Sequence, residues 1–325
     1  MKVLVIGGAG YIGSHVARAL LDAGDEVTVF DNLSSGAAEN LFPEAAFVKG
    51  DILDYGGLVS TMRAGIDALV HLAAFKAAGE SMVVPEKYSL NNIAGSINVF
   101  NAALETGVRR IVFSSSAAVY GEPEYNPIDE RHPCHPVNFY GYAKFQIEGI
   151  LAWYFKLRGL SSLSLRYFNA AGYDPQGRIK SLEKNPANLL PVIMETAAGL
   201  RDKLCVFGTD YPTPDGTCIR DYIHVSDLAD AHVLALRRLE EREECLAVNL
   251  GTGRGVSVLE MLAAARRVTG RAIGSENSPR RPGDPAVLIA SFDLARRLLG
   301  WRARLSDVTT LVESAWRAYE RSERA

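Results

Sequence analysis

The chain has 325 residues, 48% hydrophobic and 22% charged, with a formal net charge of −3. That is enough for one large core, or for a main domain with a smaller lobe. The mild negative balance offers no basic face for nucleic acid or an anionic membrane. Four scattered cysteines, Cys134, Cys205, Cys218 and Cys245, show no CxxC or Cys/His spacing, so neither a zinc site nor a disulfide framework is indicated and a reducing cytoplasm fits. Glycines at 7, 8, 10 and 13 interrupt the apolar N-terminus, and no later stretch offers some eighteen strongly apolar residues. A soluble protein is expected.

In chain order, KVLVI (2–6) reads as a buried strand and YIGSHVARALLDAG (11–24) as a helix stopped at Gly24. Further strands are expected at 26–30, 46–50, 68–72, 109–114 and 161–168, with helical patterns filling most of the gaps. Near-continuous apolar strands separated by helices predict a parallel sheet covered on both faces. After about residue 170 the pattern coarsens into a loop region, short strands at 204–207 and 246–250, and three helices, the last near 306–322. The fold class is therefore α/β: a Rossmann-like doubly wound parallel sheet over 1–170, with a smaller mixed α/β lobe over 171–325 interleaved with it.

VIGGAGYIGSH places Gly7-x-x-Gly10-x-x-Gly13 between the first strand and the first helix. Glycines there permit a tight turn, let backbone N–H groups approach a pyrophosphate, and let helix and strand pack closely. The second strand ends in Asp31, eighteen residues after Gly13. A carboxylate at that place accepts from adenosine ribose hydroxyls and repels a 2′-phosphate, favouring NAD over NADP; capping of the next loop is the alternative. Asp51, closing the third strand, is placed to reach the adenine.

Ser114, Ser115 and Ser116 stand at the end of the 109–114 strand, on the sheet edge where ligands bind, although serines are also ordinary turn residues. Tyr140 and Lys144 follow at the start of a strong helix, four apart and so on one face. Alone, that pair is either an acid–base couple or the wet side of a helix. Together with the glycine loop and the strand-end serine, Gly7-x-x-Gly10-x-x-Gly13, HLAA (71–74), SSSAAVYG (114–121) and YGYAK (140–144) resemble the extended branch of the short-chain dehydrogenase/reductase superfamily. GYIGSH (10–15), DNLSSG (31–36), FKAAGES (75–81), RYFNAAG (166–172), FGTDYPTPDGTCIRDYIHVSDLADAH (207–232), NLGTGRGVSVLE (249–260) and RRPGDPA (280–286) narrow the resemblance to the UDP-glucose 4-epimerase family, over essentially the whole chain.

The resemblance implies NAD as cofactor and no metal. Tyr140 would be the base, with its pKa lowered by Lys144 and the positive nicotinamide ring together; Lys144 would also hold the nicotinamide ribose, and Ser116 would bond the reacting sugar hydroxyl. Bringing a phenol from about 10 to 7 needs about 4 kcal/mol of preference for the phenolate. Tyr11, Ile12, Asn32, Ser35, Gly36, Ile52, Leu72, Ala73, Ala74, Lys76, Asn91, Ser114 and Phe168 would complete the cofactor site. A UDP-hexose would be held by Lys76, Asn169, Asn188, Leu189, Val206 and Phe207, with Arg220 and Arg281 on the diphosphate, Asp284 on the uridine ribose and Leu288 beside the hexose. The family is typically dimeric, through helices near 86–106 and 140–158.

A sugar C4–H is not acidic, so inversion needs transient oxidation to a 4-keto sugar that turns over before reduction. The alternatives are another NAD-dependent nucleotide-sugar enzyme, such as a UDP-uronate epimerase or a 4,6-dehydratase, and a non-catalytic NAD-binding regulator. Related dehydratases carry Asp and Glu directly after the strand-end hydroxyl, where this chain has Ala117 and Ala118. A regulator would not need Ser116, Tyr140 and Lys144 together. Phe139 stands where many relatives have Pro, and Ala118 where many have Thr.

Overall fold

The structure, a computed structural model, describes residues 1–183, 186–281 and 283–324. The first half runs β1 (Lys2–Ile6), α1 (Tyr11–Asp22), β2 (Glu26–Asp31), β3 (Ala46–Lys49), α2 (Tyr55–Met62) and β4 (Ala68–His71). Short helices α3 (Ala78–Ser81) and α4 (Pro85–Tyr88) and a π-helical turn over Ser89–Ala94 lead into α5 (Gly95–Thr106). β5 (Arg110–Ser114), a 3-10 turn over Ala117–Val119, α6 (Phe139–Arg158) and β6 (Ser161–Tyr167) follow. The second half holds β7 (Asn169–Ala171), α7 (Leu189–Ala197), β8 (Leu204–Phe207), β9 (Ile219–Arg220), β10 (Tyr222–His224), α8 (Val225–Glu241) and β11 (Cys245–Leu250). It closes with β12 (Val256–Ser257), α9 (Val258–Thr269), β13 (Ser275–Ser278), β14 (Val287–Leu288), α10 (Asp293–Leu299) and α11 (Val308–Arg324).

The second half differs from the sequence reading in helix count. Five helices, rather than three, follow residue 170 among the described residues. α10 has only seven residues, too few to display a helical period. α7 carries Pro191 in its first turn, where no intrahelical N–H bond is lost. β11 joins the central sheet, in the order β11-β6-β5-β4-β1-β2-β3 with every pair parallel.

Side chains alternate across this sheet. Val3, Val5, Val27 and Val29 pack with α1 and α8 on one face, while Leu4, Ile6, Leu69 and Ile111 pack with α2, α5 and α6 on the other. The near-continuous apolar runs in the sequence are the signature of this two-sided burial. A separate core joins α7, α9 and α11 through Ile193, Met261, Leu311 and Trp316.

Five histidines are buried, and burial dominates the titration of four of them: His15, His71, His224 and His232. Burial lowers each from the ordinary 6.5, to about 4 for His15, His224 and His232 and to about 3 for His71. The unfolded chain therefore takes up protons before the folded one, so their contribution to stability is complete above 6.5 and is lost as pH falls toward 4. Each group contributes a slope of up to about 1.4 kcal/mol per pH unit in that window. Urea unfolding between pH 5.3 and 6.3 is expected to show net uptake of about two to three protons, the four imidazoles taking up about three while Asp221, raised by burial to about 6, gives back part of one. A flat stability profile there would mean that these imidazoles already titrate in the folded protein.

Candidate active site

The strand order turns back at β1: the chain builds outward through β2 and β3, then returns to β4 on the other side. A crevice must open outside the carboxyl ends of strands at such a reversal. It is a cleft of about 470 Å³, walled by the β1–α1 loop, the ends of β2, β4 and β5, the start of α6 and the segment after β6. Among the described residues no group of His, Cys, Asp and Glu is arranged to hold a metal ion, and no helix is long and apolar enough to cross a membrane.

The glycine loop is dictated by contact. Gly7 has φ +85°, and a Cβ there would lie 2.7 Å from Ala73 N; one on Gly13 would lie 2.0 Å from Gly7 O. Gly10 caps α1 without a side-chain bond, leaving the first-turn N–H groups of Tyr11, Ile12 and Gly13 available to an anion. Asp31 lines the same cleft; its Oδ2 accepts from Ala9 N at 3.0 Å and its Oδ1 from Leu33 N at 2.8 Å. This cradle fits a dinucleotide, with the open N–H groups for its pyrophosphate and Asp31 at the sheet edge for a ribose. Asn32, Ser35, Ile52, Leu72, Ala73, Ala74, Lys76 and Asn91 also line the cleft.

Gly36 and Asp51 stand outside the lining residues. A Cβ on Gly36 would meet Ala9 at 2.9 Å. Asp51 accepts from Asn32 Nδ2 at 2.8 Å and from Leu53 N, so its carboxylate supports the wall. Lys76 pairs with Glu183, on the far side of the cleft.

Helix α6 delivers Tyr140 and Lys144. Asn138 caps it, accepting from Gly141 N at 2.8 Å, and Tyr140 N donates to Ser81 Oγ at 3.0 Å. Gly141 is required by close approach, since a Cβ there would stand 2.3 Å from Ala118 O. Ser114, Ser116, Tyr140, Lys144 and Phe168 all line the cleft, whereas Tyr142 points to solvent. Ser116 Oγ accepts from Ala118 N at 3.2 Å.

Burial pushes the Tyr140 phenol up, opposed by a hydrogen bond with Ser116. Burial also draws Lys144 down to about 7, with Glu148 resisting. The Lys144 ammonium lies 5.9 Å from the Tyr140 ring centre and donates to Ser114 O at 2.6 Å. Apart from the positive nicotinamide ring, the protein's own groups favour the neutral phenol at Tyr140.

The substrate candidates divide. Asn169 and Asn188 line the cleft, and Asn169 is fixed by two bonds to Asp221 O. Leu189, the first residue of α7, packs toward the α7–α9–α11 core, where Val206 is also buried. Val206, Phe207, Arg220, Arg281, Asp284 and Leu288 gather on or beside the small sheets β13-β8 and β12-β9-β14, outside the cleft lining. Arg220 Nη2 bonds Asp284 Oδ1 at 2.8 Å, and the Arg281 guanidinium sits 3.9 Å from the Phe207 ring centre. Leu288 is in register with Arg220 and packs, like Phe168, against the Val119, Tyr120 and Ile128 cluster. Pro282 of the RRPGDPA motif lies outside the described residues.

Sequence reasoning missed Ser81, Asn92, Glu148 and Arg166. Asn92 clamps Phe75 through both backbone groups at 2.9 Å. Glu148 continues the Tyr140–Lys144 spacing by another four residues, which is a readable signal; its partner Arg166 lies on β6 and gives none.

The family model for the NAD dependent epimerase/dehydratase family matches residues 3–251. The UDP-glucose 4-epimerase of Lacticaseibacillus casei is 46% identical over 98% of this chain and 97% of its own. The structure of UDP-glucose 4-epimerase from Brucella ovis in complex with NAD superposes with a TM-score of 0.95, at 45% identity over 98% of each chain. That of the Stenotrophomonas maltophila UDP-glucose-4-epimerase with bound NAD and formylated UDP-arabinopyranose gives 0.96, at 41% identity over 100% of this chain and 99% of the other.

Asp31→Ala removes the acceptor of two backbone N–H groups, at a cost of about 1–3 kcal/mol each where they stay buried. Calorimetric titration of cofactor-stripped protein is expected to show weaker NAD binding and a narrower gap between NAD and NADP. Unchanged affinity for both would place Asp31 away from the ribose.

Proposed function

The chain belongs to the NAD dependent epimerase/dehydratase family, and from that premise we propose that it reversibly inverts C4 of UDP-glucose and UDP-galactose through a 4-keto sugar, with NAD as its resident cofactor. The observation carrying this reading is the convergence of Ser116, Tyr140 and Lys144 on the same cleft as the glycine loop and Asp31.

Bound in that cradle, NAD would supply the hydride acceptor and donor for C4. The chain's residues do the rest. Tyr140 takes the O4 proton and returns it to the inverted centre. The Ser116 hydroxyl bonds the same oxygen and favours the phenolate partner. Lys144 keeps the strand-end carbonyl of Ser114 in register with the phenol. Asn169 and Asn188 position the sugar nucleotide from the other side of the cleft. Arg220 and Arg281 grip the diphosphate, the first exchanging Asp284 for phosphate oxygens, while Asp284 takes the uridine ribose. This anchorage lets the keto sugar turn over without escaping.

A 4,6-dehydratase needs an extra acid and base to take the C5 proton and expel the C6 hydroxyl. At the matching places this site has Ala117 and Ala118, neither of which can do so. A non-catalytic sensor has no use for a buried phenol beside a strand-end serine.

The proposal includes a division near residue 170 into an NAD-binding part and a UDP-sugar lobe, a cytoplasmic setting in galactose metabolism, and a homodimer. The dimer reading is supported by exposed apolar side chains around α5 and α6: Met82, Val83, Leu90, Trp153 and Leu157 are 58–81% exposed.

Purified protein is expected to contain NAD or NADH and to convert UDP-galactose to UDP-glucose without added cofactor. A requirement for free NAD with stoichiometric NADH release would instead mark a dehydrogenase. Tyr140→Phe should keep cofactor and UDP-sugar binding while losing about 10²–10⁴-fold in turnover; near-normal turnover would remove Tyr140 from its role. Leu288 is intermediate in bulk, so N-acetylated UDP-hexosamines are expected as weaker substrates, discriminated by about 1–3 kcal/mol. Leu288→Tyr should suppress UDP-N-acetylgalactosamine turnover far more than UDP-galactose turnover. An unchanged ratio of the two rates would show that Leu288 does not set pocket width.

A further inference from the structure

The Lys144 side chain is buried, with Ser114 O as the described hydrogen-bond acceptor of its ammonium. Around it stand the rings of Phe113 and Tyr140, at 4.8 and 5.9 Å from Nζ. A dry ammonium so sparsely compensated needs a counter-charge. The titratable and charged groups near it are His71 from β4, Arg166 and Tyr167 from β6, and Tyr140 and Glu148 on its own helix. Burial holds His71 neutral, so Glu148 is the anion of this set.

Glu148 is not bonded to Lys144. Its Oε1 accepts from Ser115 Oγ at 2.5 Å and from Arg166 Nε at 3.0 Å; its Oε2 accepts from Arg166 Nη2 at 2.5 Å. Arg166 Nη1 donates to Tyr120 OH at 3.0 Å, and that hydroxyl donates to Asn249 Oδ1 at 2.7 Å. Two bonds one helical turn apart therefore stitch α6 to the end of β5: Lys144 to the carbonyl of Ser114, and Ser115 to Glu148. Ser116, the next residue, faces Tyr140 from the end of that stitch.

We propose that Glu148, held by Arg166 and Ser115, is a positioning residue that keeps Lys144 charged and fixes Ser116 against Tyr140. A packing role alone does not require this arrangement. A buried ion pair is often no more stabilising than apolar side chains of the same volume, and such side chains would leave the ammonium without its counter-charge. The charged pair lies one turn from Lys144 and on the residue before Ser116.

The inference rests on the proposed C4 chemistry only for its turnover readout. The direct test follows the Lys144 Cε resonance with pH in protein carrying ¹³C-labelled lysine, the signal being assigned by its loss in Lys144→Met. Glu148→Gln is expected to lower the Lys144 midpoint by about one pH unit, because an unopposed Arg166 replaces the pair. The high-pH limb of kcat should move down with it, and kcat should fall roughly tenfold, while bound cofactor is retained. Ser115→Ala, which removes no charge, should lower kcat several-fold with the midpoint unmoved. If Glu148→Gln does not fold, the uncharged pair Glu148→Gln/Arg166→Gln decides: a lowered midpoint supports the role. A wild-type midpoint in whichever of these variants folds, or wild-type kcat in Ser115→Ala, overturns it. Wild-type protein inactive on UDP-galactose would sink the C4 chemistry while leaving the resonance test standing.

Discussion

One bond, from the Lys144 ammonium to the carbonyl of Ser114, sets the geometry on which the rest of the site depends. It crosses from the first turns of α6 to the last residue of β5, and the helix has little freedom elsewhere. Gly141 presses against Ala118 O, Asn138 caps the first turn, and Ser81 holds the backbone of Tyr140. A helix so pinned presents the phenol at one place on the sheet edge. The cost is electrostatic, since a lysine that ordinarily titrates near 10.5 is brought to about 7 by burial. The protein has used an expensive charge as a fastener, at the point where chemistry also needs a charge.

The cofactor cradle is built on a different principle. Its geometry comes from absent side chains: at Gly7 and Gly13 any Cβ would collide with backbone. What remains is a row of helix N–H groups facing an open crevice. Asp31 links the two halves of this arrangement, accepting from the glycine loop at Ala9 while lining the cleft from the end of β2. Removing its carboxylate would disturb the loop as well as the cleft wall it forms.

Much of this was legible because it is local. The glycine loop, Asp31, Ser116 and the Tyr140–Lys144 pair each belong to one strand, turn or helix, and their spacing survives in the one-dimensional string. Arg220 and Asp284 were both readable as motif residues, yet their mutual bond joins distant segments and had no sequence signal. The same holds for Glu148 with Arg166. The sequence also suggested that Lys144 lowers the phenol of Tyr140. In the structure the ammonium donates to the strand, 5.9 Å from the Tyr140 ring centre, and burial dominates both groups. The helix count failed for α10 because seven residues display no period.

The seventh strand has a consequence for how the chain comes off the ribosome. β6 is complete at Tyr167, but the neighbour that covers its outer edge, β11, begins only at Cys245. α8, which roofs the same face beside α1, also lies in that interval. At a synthesis rate of about 5–20 residues per second, the edge of β6 stays unpaired for on the order of ten seconds. Its sequence, SSLSLRY, carries three serines, one of them between its two leucines, and Arg166 sits near its end. Polar and charged residues on an open strand discourage pairing with another chain. Ser161, Ser162 and Ser164 are buried in the finished sheet, so their hydroxyls meet solvent only while that sheet is incomplete.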